Sequence, residues 1–98
     1  MVIYEVRAIV NPDLCESYEK YMTEQHIPDL IKTGCFAEAS FETCGEGEYQ
    51  MRYAAPSREH LDMYFRDHAP RLREDLASHF PDGIALTRKE WNVLKHFA

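Results

Sequence analysis

Positive charge is scarce in this chain. Eleven Lys and Arg stand against seventeen Asp and Glu, a formal net charge of −6 with neutral histidines. No basic cluster offsets it, so the surface repels phosphate backbones and nucleic acid is not an expected partner. Long apolar runs are missing as well. No stretch approaches the roughly 18 residues that span a bilayer, and no membrane association is expected. The opening Met1-Val2-Ile3-Tyr4-Glu5-Val6-Arg7 does not read as a signal peptide, because Glu5 and Arg7 interrupt its apolar stretch. The expected location is cytoplasmic. Glycine and proline are few, four and five residues, beside 45% hydrophobic and 29% charged residues. Such proportions exclude collagen-like, low-complexity and disordered chains. Ninety-eight residues are enough for one two-layer core and too few for two, so residues 1–98 are expected to form a single domain.

Cysteine is sparse and odd in number: Cys15, Cys35 and Cys44, with no C-x-x-C pair. Reduced thiols acting as small hydrophobes are expected. A catalytic thiolate stays open only for Cys15, which falls near a predicted helix start. No ligand spacing suggests zinc, and no metal site is expected. The sequence also lacks G-x-S-x-G, H-E-x-x-H, G-x-G-x-x-G and the P-loop, and names no cofactor.

What is present is clear patterning. Over residues 2–10, Tyr4, Val6, Ala8 and Val10 alternate with Ile3, Glu5, Arg7 and Ile9, which predicts a half-buried strand. Asn11-Pro12-Asp13 marks a helix start, and Leu14, Tyr18, Tyr21 and Met22 follow at helical spacing. Lys32 and Gly34 supply a cationic last turn and a left-handed cap. A second strand, about Cys35 to Thr43, places Cys35, Ala37, Ala39 and Phe41 on one face and Phe36, Glu38, Ser40 and Glu42 on the other. Gly45-Glu46-Gly47 turns the chain back into a strand carrying Tyr49, Met51, Tyr53 and Ala55 on its apolar side, which predicts a hairpin. Ser57 caps a second helix with the stripe Leu61, Tyr64, Phe65, His68, Leu72 and Leu76. Residues 84–94 predict a last strand. The order β-α-β-β-α-β is the split βαβ, a ferredoxin-like α+β fold: a four-stranded antiparallel sheet with two helices on one face.

The two halves repeat a motif. Glu24-Gln25-His26-Ile27-Pro28-Asp29-Leu30 matches Arg66-Asp67-His68-Ala69-Pro70-Arg71-Leu72 at an offset of 42. Each proline removes a helical hydrogen bond and kinks its helix next to an imidazole. Either the histidine is satisfied by a freed carbonyl, or it stands at a cavity mouth as acid, base or ligand. His26 and His68 are therefore the candidate catalytic residues. Arg71 and Arg73 are candidates for an anion clamp, unless they are solvated or paired with Glu74 and Asp75. Asp67 and His68 are adjacent and point about 100° apart on a helix, so they are not expected to form a dyad.

The uncovered sheet face is expected to carry Glu5, Arg7, Glu38, Ser40, Glu42, Gln50 and Arg52, with Ile3, Ile9, Phe36 and Trp91 sharing parts of it. Such a face is either solvated or a dimer interface. If two sheets pair, Glu5, Arg7, Glu38, Gln50 and Arg52 line a central cavity. Arg7, Arg52, Arg71, Glu38 and Tyr64 are the candidate substrate contacts.

Ile3-Tyr4-Glu5-Val6, His26-Ile27-Pro28, Thr33-Gly34-Cys35-Phe36 and His68-Ala69-Pro70-Arg71-Leu72-Arg73 together resemble a small bacterial family known as domain of unknown function 4286. The resemblance runs over nearly the whole chain. It implies a dimeric α+β barrel, ferredoxin-like subunits paired through their sheets, and no particular substrate. Two functions from different classes follow. One is a cytoplasmic homodimer that binds a small anionic or aromatic molecule and performs acid/base or cofactor-independent oxidative chemistry. The other is a non-catalytic dimerisation or regulatory module. Haem held by a helix histidine is a third, weaker reading.

Overall fold

The structure, a computed structural model, describes residues 1–98. Strand β1 (Val2–Val10) leads through a 3₁₀ turn (Pro12–Leu14) into helix α1 (Cys15–Tyr21). A π-helical turn (Met22–His26) joins α1 to α2 (Ile27–Lys32). Strands β2 (Glu38–Gly45) and β3 (Glu48–Ala55) form the hairpin, helices α3 (Arg58–Asp67) and α4 (Ala69–His79) follow, and β4 (Ile84–Asn92) ends the sheet. The sheet order is β2-β3-β1-β4 with every pairing antiparallel. This is the ferredoxin-like fold, with the broken helices packed on one face.

The local signals act as their chemistry dictates. Ser57 sits in the extended region at φ −149° and ψ 167°, and its Oγ accepts from the His60 amide, satisfying one orphan N–H of α3. Gly34, at φ +77°, closes the first helical arm in the left-handed region where a Cβ is costly. The hairpin turn holds three consecutive positive-φ residues, Gly45, Glu46 and Gly47.

The alternation of β1 and β3 places the core. Val2, Tyr4, Val6, Ala8 and Val10 meet Tyr49, Met51, Tyr53 and Ala55 beneath Tyr18, Met22, Leu30, Leu61, Tyr64 and Leu72, all buried. Tyr4 stacks on Tyr53 at 5.9 Å and meets Phe65 edge-on at 5.2 Å. A second aromatic group joins Tyr18, Phe41, Tyr49 and Phe80. Burying each of these large side chains contributes roughly 1.5–3 kcal/mol.

Four expectations need correction. Residues 35–37 are not strand, because β2 begins at Glu38. Phe36 therefore escapes the parity that would put it on the open face. It is buried against Tyr4, Tyr53 and Tyr64, with ring centroids 4.9–6.5 Å away. The second helical arm is two helices, because the chain breaks at His68 (φ −128°) ahead of Pro70. Glu5 does lie on the open face but is only 7% exposed, enclosed between Arg52 and Lys89 in register and 3.5 Å from Arg7. Finally, β4 stops at Asn92. No helix is long and apolar enough to cross a membrane.

Candidate functional site

Residues 18, 22, 26 and 30 recur at intervals of four, and Tyr18, Met22, His26 and Leu30 are all buried. In a straight α-helix, positions four apart drift by about 40° per step. The π turn, in which the Ile27 amide donates to the Met22 carbonyl, widens one turn and opposes that drift. It also absorbs Pro28, which stands in the first turn of α2 and has no N–H to give. The result holds an imidazole inside the layer between helices and sheet, 8% exposed.

His26 lines a narrow cleft there. Tyr4 and Val6 come from β1, Met51 and Tyr53 from β3, Tyr64 from α3, Arg73 and Leu76 from α4, and Leu86 and Arg88 from β4. Its free space is about 20 Å³, room for about one water. Counting the open mouth, the hollow is about 360 Å³.

One polar atom of this cleft is left without a partner. Nδ1 of His26 is fully buried with no hydrogen-bond partner, against the rule that buried polar groups are paired. Burial pushes the imidazole down to about 4 by penalising its charged form. Asp75 and Asp29 pull the other way, and Arg88 adds to the depression. His26 is consequently a neutral ring near pH 7. Burial likewise raises the Tyr53 and Tyr64 phenols far above their ordinary value, so both keep their protons. Arg73 donates to the Tyr4 hydroxyl at 3.1 Å, with its guanidinium 5.8 Å from the Phe65 ring centroid. Beyond the Tyr21 ring, 5.8 Å from that of His26, Tyr21 donates to Asp75 at 2.5 Å.

Of the residues singled out by sequence, His26 and Tyr64 come together in the cleft. His68 is half-buried at the junction of α3 and α4 and does not line it. Asp67, beside it, is engaged by the Arg66 guanidinium at 2.9 and 3.0 Å. Arg71 is exposed, while Arg73 reaches the cleft. Arg7 and Arg52 stand on the open sheet face. Arg7 borders a hollow of about 280 Å³ with Glu42 and Gln50, and Arg52 borders another of about 310 Å³ with Ile3, Glu38 and Ala54. Cys15 is half-buried with its Sγ 3.5 Å from the Asn11 carbonyl oxygen.

Sequence reasoning passed over Arg88, which lines the cleft from β4. The available signal was parity: Arg88 shares its side of β4 with Ile84 and Leu86, the helix-covered side. No three His, Cys, Asp or Glu side chains converge to hold a metal. Haem does not fit beside His26, since a macrocycle seated against that ring would have to lift the helix layer off the sheet.

The fold is that of several solved structures. One is a mutant of SnoaB, a cofactor-independent oxygenase from Streptomyces nogalater, at 8% identity and TM-score 0.76, covering 97% of this chain and 94% of that one. Another is a dimeric ferredoxin-like protein from an uncultured marine organism, at 12% identity and TM-score 0.72, covering 100% and 99%. A third, from Nitrosomonas europaea and provisionally assigned as an antibiotic biosynthesis monooxygenase, matches at 12% identity and TM-score 0.69, covering 97% and 100%. At such identities the likeness is one of fold alone. No curated protein matches. The family model of a domain of unknown function, DUF4286, matches residues 1–94, and the chain belongs to that family.

Proposed function

We propose that this chain is a cytoplasmic homodimer that binds a small organic molecule in the cleft of each subunit and moves a proton on it through His26. The observation that carries the reading is the neutral, nine-tenths buried imidazole, its Nδ1 unpartnered, in the wall of a hollow that opens to solvent. A buried polar group left without a partner costs about 1–3 kcal/mol, and functional sites are where such costs are found. Tyr64 shares the wall, and the step that the chain's own residues supply is acid/base transfer at the ring of His26. The solved neighbour named a cofactor-independent oxygenase agrees with chemistry that a protein performs with side chains alone.

Pairing through the open sheet face is supported by its apolar exposure. Trp91 is 49% exposed opposite Ile3, and Ile9, on the same side of β1 as Ile3, is 54% exposed. Arg7, Arg52 and Glu38 then belong to the interface, around the buried Glu5. A non-catalytic module is the competing function, and it has no use for an unpartnered imidazole. Native mass spectrometry of protein purified without added ligand, beside a denatured control, tests the reading. A dimer with a constant added mass that His26→Leu no longer retains is expected. A bare monomer, or a folded His26→Leu protein that retains the same mass as wild type, overturns it.

A further inference from the structure

The chemistry of the cleft wall indicates what it binds. Its side-chain polar groups are the hydroxyls of Tyr4, Tyr53 and Tyr64, the ring of His26 and the guanidinium groups of Arg73 and Arg88. Five of these six can only donate or hold a free donor, and no carboxylate, amide or carbonyl side chain stands among them. Tyr53 and Tyr64 make no hydrogen bond to another protein group, and the Tyr4 hydroxyl accepts from Arg73 without donating to one, while only Nδ1 of His26 is both shut off from solvent and unpartnered. The other buried or half-buried tyrosines are served differently. Tyr21 donates to Asp75, Tyr49 to Glu19 at 2.5 Å and Tyr18 to the Met51 sulfur.

The charges tell the same story. Arg7, Arg58 and Arg66 each have a carboxylate within 4.0 Å, on Glu5, Asp62 and Glu90, and Asp67 respectively. Arg73 and Arg88 have none, in a chain with a surplus of six negative charges. Arg52 and Arg71 are also unpaired, but both are exposed away from the cleft. Two guanidinium groups without a carboxylate partner, from α4 and β4, thus line the same cleft as the hydroxyls of Tyr4, Tyr53 and Tyr64.

Resting on the proposed function of the same cleft, we propose that its ligand is a planar organic carboxylate. The carboxylate accepts from Arg73, Arg88 and the Tyr4 hydroxyl, and the unsaturated body lies against Tyr53, Tyr64 and His26. Guanidinium forks match carboxylates in shape as well as charge. The apolar floor of Val6 and Met51 favours an organic body over an inorganic anion. Entry requires the mouth side chains to swing outward. These are the exposed Arg73 and Arg88 and the half-buried Leu76 and Leu86, none of them locked in the core.

Sodium benzoate and its neutral isostere benzamide are the probes, titrated into the full chain at pH 7. Binding is followed by calorimetry and by the NMR signal of the His26 ring. Benzoate is expected to shift that signal and to bind at least tenfold more tightly than benzamide. Arg73→Gln and Arg88→Gln should each weaken benzoate at least tenfold, while Arg71→Gln stays within twofold of wild type. If benzamide binds as tightly as benzoate with the same movement of the His26 signal, carboxylate recognition is refuted and the small-molecule cleft stands. If neither probe moves the His26 signal, both readings fall. Equal weakening by Arg71→Gln would assign benzoate to the general surface and also overturn the proposal. The three arginines are exposed, so all variants are expected to fold, and thermal unfolding confirms it for each.

Discussion

His26 should make the stability of this protein fall with pH in a window that ordinary carboxylates do not dominate. Its imidazole is held at about 4 in the folded chain against about 6.5 in an unfolded one. The unfolded state therefore binds a proton first as pH drops, and stability is lost progressively from pH 6.5 down to about 4. At about 1.4 kcal/mol per pH unit, the loss between pH 7 and 4.5 is about 2.5 kcal/mol. Carboxylates add their own acid destabilisation, so the quantity to measure is a difference between two proteins. His26→Leu removes the titration and conserves most of the volume. At pH 7 the variant should equal wild type or exceed it by about 1 kcal/mol, because an unsatisfied Nδ1 goes with the ring. At pH 4.5 it should be the more stable by a further 2.5 kcal/mol or so. Urea unfolding at fixed protein concentration, followed by circular dichroism at pH 7, 6, 5 and 4.5, measures both. Parallel stability curves for the two proteins would show that His26 titrates as a solvated histidine, and the neutral buried imidazole would be refuted.

Two further outcomes are expected. Gly45 and Gly47 both have positive φ, but a Cβ on Gly47 would collide with the Val10 carbonyl oxygen while one on Gly45 meets nothing within 4 Å. Gly45→Ala should cost about 1 kcal/mol for its backbone conformation and Gly47→Ala clearly more, a contrast read by urea unfolding and contradicted if the two variants lose the same stability. Trp91 is the only tryptophan and half-exposed on the open sheet face of a single subunit. In a dimer paired through that face its fluorescence should resist acrylamide quenching and become accessible on dilution or in Ile3→Glu. Free quenching at all concentrations would place the interface elsewhere.

The sheet was legible in the sequence because its two central strands are half-buried, and burial on one side writes itself as a period of two. β1 and β3 keep Val2, Tyr4, Val6, Ala8 and Val10, and Tyr49, Met51, Tyr53 and Ala55, on the buried side, with Glu5 and Ala54 the buried exceptions opposite, and Ser57 and Gly34 mark helix ends by chemistry that depends on neither partner nor distance. Phe36 shows where this fails. The parity of β2 holds from Glu38 onward, but pairing begins only where the Ala37 amide reaches the Ala54 carbonyl at 2.8 Å. Extending the alternation back past that bond assigns Phe36 to the wrong side. Glu5 fails differently. Its side of the strand was plain, but its burial is made by Arg7, Arg52 and Lys89, which lie on three strands that only the fold brings side by side.

The two His-x-Pro motifs carry the harder lesson, since nothing local distinguishes them. Each proline withdraws the same donor, and a helix can answer by widening a turn or by breaking. Around His26 the arm keeps going. Tyr18, Met22 and Leu30 already form a buried line, and one π turn keeps the imidazole on it at the cost of an unpartnered nitrogen. Around His68 the chain breaks instead, because Tyr64 before it and Ala69 and Leu72 after it fill the core without needing the ring between them. Which answer wins depends on the side chains across the layer, contributed by β1, β3 and β4, and so on contacts dozens of residues away. The same contacts bring Arg73, Arg88 and the hydroxyls of Tyr4, Tyr53 and Tyr64 around His26. A histidine buried at the expense of an unpartnered nitrogen, in a wall whose other polar side chains offer donors and no carboxylate, is the arrangement that a ligand-binding cleft requires.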